Sequence, residues 1–265
     1  MDTTGKSELE DVFPAIPRLP VELERAIFED AAQISRESIP TSMLIANRVK
    51  EWLEPLLYSI VIIHQSSRGP KGYSPPIERL DCYAHHVRHL LVYSLRNTNS
   101  SKVIRSLTLC KNLVNVGLWL PFHAPEISAA LSLLPLRQFS GYALSLVPNF
   151  RTQTSSAQTP FLGLTHIEFF DYGITWARIE WLARLEKLTH LSLPDAPNSE
   201  LVQNIFTNCS NLRLIVQDDQ SEPSGDKRVV HVPLSFAYYS EGWLAQARSE
   251  RSTWDIAEER VNERL

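Results

Sequence analysis

Histidine is the residue type with the clearest chemical potential here, and three of the eight histidines stand close together as His85, His86 and His89. Imidazoles at such spacing bind metal when cysteines or carboxylates complete the ligand set. On the extended segment that this region predicts, the side chains diverge, and no cysteine or carboxylate set stands at a matching spacing. We therefore expect no metal site.

Nucleophilic and phosphate-binding motifs are also missing. Ser192 stands near His190 and Asp195, but no Gly-x-Ser-x-Gly elbow presents a nucleophile. The segment Gly69-Pro-Lys-Gly72 lacks the spacing of a Walker loop. We expect that the chain is not an enzyme and has no catalytic residue and no cofactor.

Composition narrows the classes of partner. The sequence has 26 Lys and Arg against 30 Asp and Glu, so no broad cationic surface is available for nucleic acid or anionic lipid. The longest strongly apolar stretch, near 56–63, is too short to span a bilayer. Three widely separated cysteines and an acidic N-terminus without a signal pattern favour the cytoplasm or the nucleus. We expect neither a nucleic-acid nor a membrane partner.

The elements that would position any site come from an internal repeat. Leucine accounts for 35 of the 265 residues, and the motif apolar-x-x-apolar-x-apolar, imperfect at two sites, starts at Val87, Leu113, Leu136, Leu164, Leu188, Leu212 and Val229. All but the last spacing lie within the 20 to 29 residues of a leucine-rich repeat. Helix-like stretches at 102–109, 125–134, 176–185 and 199–207 separate the motifs. The pattern predicts an α/β fold, a degenerate leucine-rich-repeat solenoid of parallel strands alternating with helices.

Two of the cysteines fit this repeat. Cys110 and Cys209 stand three residues before a motif, where other repeats have Leu133, Phe161 and Leu185. Equivalent positions in a repeat share an environment, so we interpret these cysteines as small core hydrophobes.

Because side chains alternate along a strand, the motif predicts which residues share one face of the sheet. Places four and six point into the core, so places three, five and seven face the opposite side, which is usually the concave one. Place three holds His89, Asn115, Gln138, His166, His190, Leu214 and His231, and place seven begins with Tyr93, Trp119, Tyr142 and Phe170. Aromatic rings beside polar groups favour protein recognition. We predict a client-binding face of His89, Tyr93, Asn115, Trp119, Tyr142, His166, Phe170 and His190. Alternatively, loops such as 151–160 cover the aromatic residues, and the histidines only solvate the sheet.

The N-terminal region predicts two helices followed by a strand. Leu19, Leu23 and Ile27 recur at helical spacing, with Pro20 in the first turn. After Pro40 a second apolar stripe runs from Ile45 to Leu56 and ends near Pro55. The run at 58–63, rich in Ile and Val, predicts a strand.

These helices carry a resemblance to a known family. The segment from Pro17 to Phe28 resembles the opening of an F-box, whose pattern is Leu-Pro-x-Glu-Leu or Ile followed by Ile-Phe, and 44–58 is similar to F-box-like proteins abundant in mushroom-forming fungi. Asn47 and the spacing of Trp52 depart from the common pattern. The resemblance implies contacts with the Skp1 adaptor by Leu19, Pro20, Leu23, Ile27, Phe28 and Trp52, with Leu56 nearby. The same residues would alternatively cap the core of the following domain.

The expected organisation is a disordered lead-in (1–15), an F-box-like helical module (16–65), a linker (66–76), the solenoid (77–240) and one C-terminal capping helix (241–265). If the resemblance holds, the chain recruits a protein client to a Skp1-cullin-F-box ubiquitin ligase, as a monomer within a hetero-complex. The alternative is a leucine-rich-repeat interaction scaffold that does not bind Skp1.

Overall fold

The computed structural model describes residues 19–63, 79–93, 100–119, 125–146, 161–218, 225–232, 236–248 and 250–264. The expected lead-in (1–15), the linker (66–76) and the loop at 151–160 lie outside the described residues. The strands are β1 (Ile60–Ile63), β2 (His89–Val92), β3 (Asn115–Leu118), β4 (Gln138–Gly141), β5 (His166–Phe169), β6 (His190–Leu193), β7 (Leu214–Asp218) and β8 (Val229–Val232). The α-helices are α1 (Val21–Ile34), α2 (Ile39–Ser42), α3 (Asn47–Tyr58), α4 (Leu80–Tyr83), α5 (Ser100–Leu109), α6 (Pro125–Ser132), α7 (Trp176–Ile179), α8 (Ser199–Asn208), α9 (Phe236–Ala247) and α10 (Thr253–Asn262).

All eight strands form one parallel sheet in chain order, from β1 to β8. Helices α5, α6, α7 and α8 lie between successive strands, and the register advances one repeat at a time, as in the pairing of Asn115 with Gln138. The α/β, solenoid-like alternation of parallel strands and helices predicted from the sequence is confirmed.

The sheet has two differently packed faces. The back face carries places four and six of the motif, such as Leu90, Val116 and Ile167, and it packs against the helices between the strands in the largest hydrophobic cluster. Cys110 and Cys209 are buried in this cluster, as predicted. Leu133 is 67% exposed instead, because α6 ends at Ser132 and the side chain of Leu134 packs inward in its place.

Polar side chains tie several repeats to the one before. Asn112 donates from Nδ2 to the carbonyl of His85 at 2.8 Å, and Asn211, its equivalent, donates to Glu186 at 2.6 Å. Thr189 donates from its hydroxyl to the carbonyl of Thr165 at 3.1 Å. These bonds satisfy carbonyl groups in the turns before the strands, so the register does not rest on the short ladders alone.

The N-terminal helices form a small cluster of their own around Ala32, Ile39, Val49, Leu53 and Leu57. The α3 helix continues to Tyr58 with Pro55 inside it, whereas the sequence predicted an end near Pro55. Burial of Leu57 and stacking of Tyr58 on Tyr83, with ring centroids 4.5 Å apart, hold this last turn in place.

Strand β1 changes the relation between the N-terminal module and the repeats. It was assigned to the module ending at residue 65, yet it pairs with β2 through Ile60 and His89 and joins the same sheet. The sheet therefore extends across the boundary expected between the module and the solenoid.

The last repeat and the C-terminus also differ from expectation. Val229 pairs with Ile215, so it stands at place four rather than place one, and His231 lies beside Gln217 at place six. His231 therefore does not belong to the register of place three. The expected single capping helix is two helices, α9 and α10, and they lie across the sheet rather than over its end alone.

Gly141 offers a test of how closely strands β3 and β4 approach each other. Its φ is +145°, and an added Cβ would lie 2.0 Å from the carbonyl oxygen of Leu118 on the neighbouring strand. We expect Gly141→Ala to lower the free energy of unfolding by about 3 to 5 kcal/mol, measured by urea denaturation. Gly173→Ala is the control, since Gly173 has a φ of +60° with no atom near the added Cβ, and it should cost only about 1 to 2 kcal/mol. Equal losses in the two variants would contradict the close approach of the strands.

Candidate functional site

The first candidate surface lies on α1. Leu23 and Ile27 are 54% and 55% exposed, and Leu19, just before the helix, is equally exposed. Pro20 is exposed at the N-cap, and its carbonyl accepts from the amide groups of Leu23 and Glu24. Leu23 and Ile27 stand one turn apart, so they share one face of α1.

Phe28 and Trp52 occupy a different position from the other residues of the predicted Skp1 set. Both are half-buried and pack against the cluster between α1 and α3. An ion pair between Arg48 Nη2 and Glu24 Oε1 at 2.7 Å links the start of α3 to α1. The structure therefore divides the predicted set into an exposed group, Leu19, Pro20, Leu23 and Ile27, and a supporting group, Phe28 and Trp52.

The exposed apolar surface extends beyond the predicted residues. Ile34, at the end of α1, is 88% exposed and lies on the helix face of Leu23 and Ile27, opposite the packed Phe28 and Ala32. We call Leu19, Leu23, Ile27 and Ile34 the α1 face. An amphipathic helix normally turns its apolar side to the core, so the outward apolar stripe makes the α1 face a candidate interaction surface.

The second candidate surface is the front face of the sheet, which carries places three and five. The register aligns His89, Asn115, Gln138, His166 and His190 on successive strands, as the repeat predicted. The predicted client-binding residues at place three therefore do come together. Those at place seven follow the strand ends, and ring contacts join Tyr93 to Trp119, Trp119 to Phe170 and Tyr142 to Phe170.

Much of the front face is covered by the chain itself. Trp243, Leu244 and Ala247 of α9 pack on Ile60, Ile62, Leu91 and Trp119 over β1 to β3. Ala257 and Val261 of α10 pack on Leu214, Val216, Val230 and Val232 over β7 and β8. Of the predicted client-binding residues, Asn115, Trp119 and His190 are buried, whereas His89, Tyr93, Tyr142, His166 and Phe170 are half-buried.

The histidines of the front face make contacts with these helices. His166 and His190 stack with ring centroids 4.1 Å apart, and the ring of Trp254 on α10 meets both edge-on. His190 Nε2 lies 3.0 Å from Glu258 Oε1 of α10, and His89 meets Trp243 of α9 edge-on. Three histidines predicted to face a client thus contact the covering helices.

Burial sets the protonation of this group. It lowers the pKa of His166 to about 3, with the neighbouring His190 adding to the shift, and it lowers the pKa of His89 to about 4. The pKa of His190 is also lowered by burial, against the opposing effect of Glu258. At neutral pH His89 and His166 are therefore uncharged and fit beneath aromatic rings at no ionic cost.

The middle of the front face holds a polar relay that the sequence analysis did not single out. Trp119 donates from Nε1 to Ser140 Oγ at 3.0 Å, and the hydroxyl of Ser140 donates to Glu168 Oε2 at 2.5 Å. Burial raises the pKa of Glu168 to about 7, although the bond from Ser140 opposes the shift. Ser140 and Glu168 stand at place five, so the alternation rule already assigned them to this face.

Only a few kinds of chemistry are open to the relay of Trp119, Ser140 and Glu168. A carboxyl group that titrates near neutrality can exchange a proton or bind a cation. Half-buried Phe170 contacts the ring of Trp119, and Tyr142 contacts Phe170. In the described part of the chain, no group of three or more His, Cys, Asp or Glu residues is placed to hold a metal ion. None of the described helices is long and apolar enough to cross a membrane.

Comparison with known proteins adds no family to this description. No protein-family model, no curated protein and no solved structure matches the chain.

Burial of the stacked histidines makes the free energy of unfolding depend on pH in the acidic range. Below the unfolded-state pKa of about 6.5, the unfolded chain binds a proton at residue 166 that the folded chain excludes down to about pH 3. The free energy of unfolding should therefore fall as pH drops through this window, by about 1.4 kcal/mol per pH unit for this group. His166→Gln should reduce the slope, as measured by urea titration at several pH values. The exposed His85→Gln is the control, and an unchanged slope in His166→Gln would contradict the assignment.

Glu168 has the opposite dependence. Its folded pKa is raised from 4.5 to about 7, so its contribution to stability is present below about pH 4.5 and is lost as pH rises through 7. The change in the free energy of unfolding caused by Glu168→Gln should be about 3 kcal/mol more favourable at pH 8 than at pH 4.5. Exposed Glu126→Gln should show no such difference. Equal effects of Glu168→Gln at both pH values would rule out a raised pKa.

Proposed function

We propose that the chain is an F-box-like leucine-rich-repeat adaptor that joins a Skp1-type protein to a protein client within a cullin-based ubiquitin ligase. The observation that carries the proposal is the α1 face. Leu19, Leu23 and Ile27, which the F-box resemblance assigned to Skp1 contacts, are exposed although they form an apolar stripe. The alternative role of these three residues, as a cap buried on the core, does not account for that exposure.

The adaptor role is one of positioning. Helix α3 buries Val49, Leu53 and Leu57 beneath α1, so the α1 face is held on a packed support. Strand β1 follows α3 after a single residue and belongs to the sheet. A Skp1-type partner bound at the α1 face would thus be connected to the repeats through packed elements.

The client would bind the part of the front face that the C-terminal helices leave accessible. Tyr93, Tyr142 and Phe170 are half-buried at the ends of their strands, and Glu168 lies two residues before Phe170 in the chain. Aromatic rings with a polar group between them supply large contact area at low cost in side-chain entropy. Asn115, Trp119 and His190 would support this surface from below.

A second candidate function is an interaction scaffold that does not bind Skp1. The observation that favours it is β1, which makes the N-terminal module an integral edge of the sheet rather than a separate domain. In this alternative, α1 to α3 complete the fold, and the α1 face binds another protein.

Co-expression with a Skp1 protein tests the proposal. The double variant Leu23→Asp, Ile27→Asp places two charges on the α1 face, outside the helical core, so it should fold and melt like the wild-type chain but lose co-purification with Skp1. Leu133→Asp is the control, since Leu133 is equally apolar and exposed but belongs to the repeats. Wild-type protein that fails to bind Skp1 would favour the scaffold, and retention of Skp1 by the double variant would contradict the assigned face.

A further inference from the structure

A cavity of about 260 Å³ lies where the N-terminal helices, the edge strand and α9 meet. Its apolar wall consists of Leu57, Ile60, Ile62 and Leu244, and its cationic wall consists of Arg36 and Arg248. Small-molecule sites typically begin at about 300 Å³, so this cavity suits a ligand of few atoms.

Arg36 is held in place by neutral groups. Its Nη2 donates to the carbonyl of Leu56 and, at 2.9 Å, to Ser59 Oγ. Burial and the nearby guanidinium of Arg248 lower the pKa of Arg36, which Glu250 partly offsets. The bonds to Leu56 and Ser59 fix the guanidinium but do not neutralise it.

The side chain of Arg248 has a buried donor without a hydrogen bond. Its Nε is buried and has no hydrogen-bond partner. Among the described residues, neither Arg36 nor Arg248 belongs to an ion pair, and the two carboxylates that line the cavity, Glu37 and Glu250, are exposed. Buried polar atoms of native proteins nearly always have partners, and a half-buried pair of like charges is costly without a counter-ion.

We propose that this cavity binds a small organic anion, whose carboxylate or phosphate head group pairs with Arg36 and Arg248 and whose short apolar body lies against Ile60, Ile62 and Leu244. The planar guanidinium group donates two parallel hydrogen bonds to either head group. The anion supplies both the charge that the two arginines lack and an acceptor for the Nε of Arg248.

The proposal does not rest on Skp1 binding, and its test uses the full-length chain alone. Titration calorimetry and thermal unfolding are carried out with hexanoate, hexyl phosphate and the neutral hexanol. Hexanoate or hexyl phosphate should bind saturably and raise the melting temperature, because a ligand that binds only the folded state stabilises it. The stronger of the two identifies the head group, and hexanol should bind at least about tenfold more weakly.

Substitution of Arg248 provides the matched comparison. Arg248→Met keeps much of the aliphatic stem and removes the charge, so it should weaken anion binding at least about tenfold. Without ligand it should raise the melting temperature, because it removes an uncompensated cation. Arg105→Gln, an exposed arginine on α5, should change neither property.

Three binding results would each overturn the proposal. They are the absence of saturable binding of either anion to the wild-type chain, equal binding of hexanol, and undiminished anion binding by Arg248→Met. A fall in the ligand-free melting temperature of Arg248→Met would likewise contradict it, since the arginine would then be satisfied without an anion.

Discussion

An all-parallel sheet needs a cover on both faces, and this requirement organises the molecule. The crossovers that contain α5, α6, α7 and α8 place these helices on the back face, so the repeats cover only one side of their own sheet. The front face of the end strands is apolar, with Ile60 and Ile62 on β1 and Val230 and Val232 on β8. Helices α9 and α10 cover these two regions, so they give parts of the front face the cover that the crossover helices give the back face.

The chemical character of the front face follows from where this cover lies. Under α9 and α10 the sheet is apolar or carries uncharged histidines such as His89 and His166. Between them, on β4 and β5, stand Ser140 and Glu168, and the carboxyl group is satisfied by the hydroxyl rather than by a cation. Burial disfavours protonation of His89 and His166 at low pH and ionisation of the Glu168 carboxyl group at high pH. These groups are therefore uncharged together between about pH 4 and pH 7.

The sequence predicted the features that follow from the repeat period. It did not predict contacts between residues that are far apart in the chain. The spacing of Leu113, Leu164 and Leu188 located β3, β5 and β6, because one short strand per repeat must bury places four and six. The front-face register of His166 and His190 followed from the same rule. The position of α10 could not follow, because a stripe of Ala257 and Val261 specifies an apolar side and not the surface that it meets. The cavity beside Arg248 could not be predicted for the same reason, because only the tertiary fold brings residues 36, 60 and 248 together.

The two roles weighed for the N-terminal helices are compatible, because they use opposite sides of α1. Phe28 and Ala32 face the helical core, and α3 leads from that core directly into β1. The module therefore covers the first edge of the sheet, as a repeat array requires. Leu23 and Ile27 face away from that core and are not needed to maintain it. A module that only capped the fold would gain solubility from polar residues at these positions. The exposed stripe therefore leaves room for the proposed partner, and the packed side of the same helix holds it against α3.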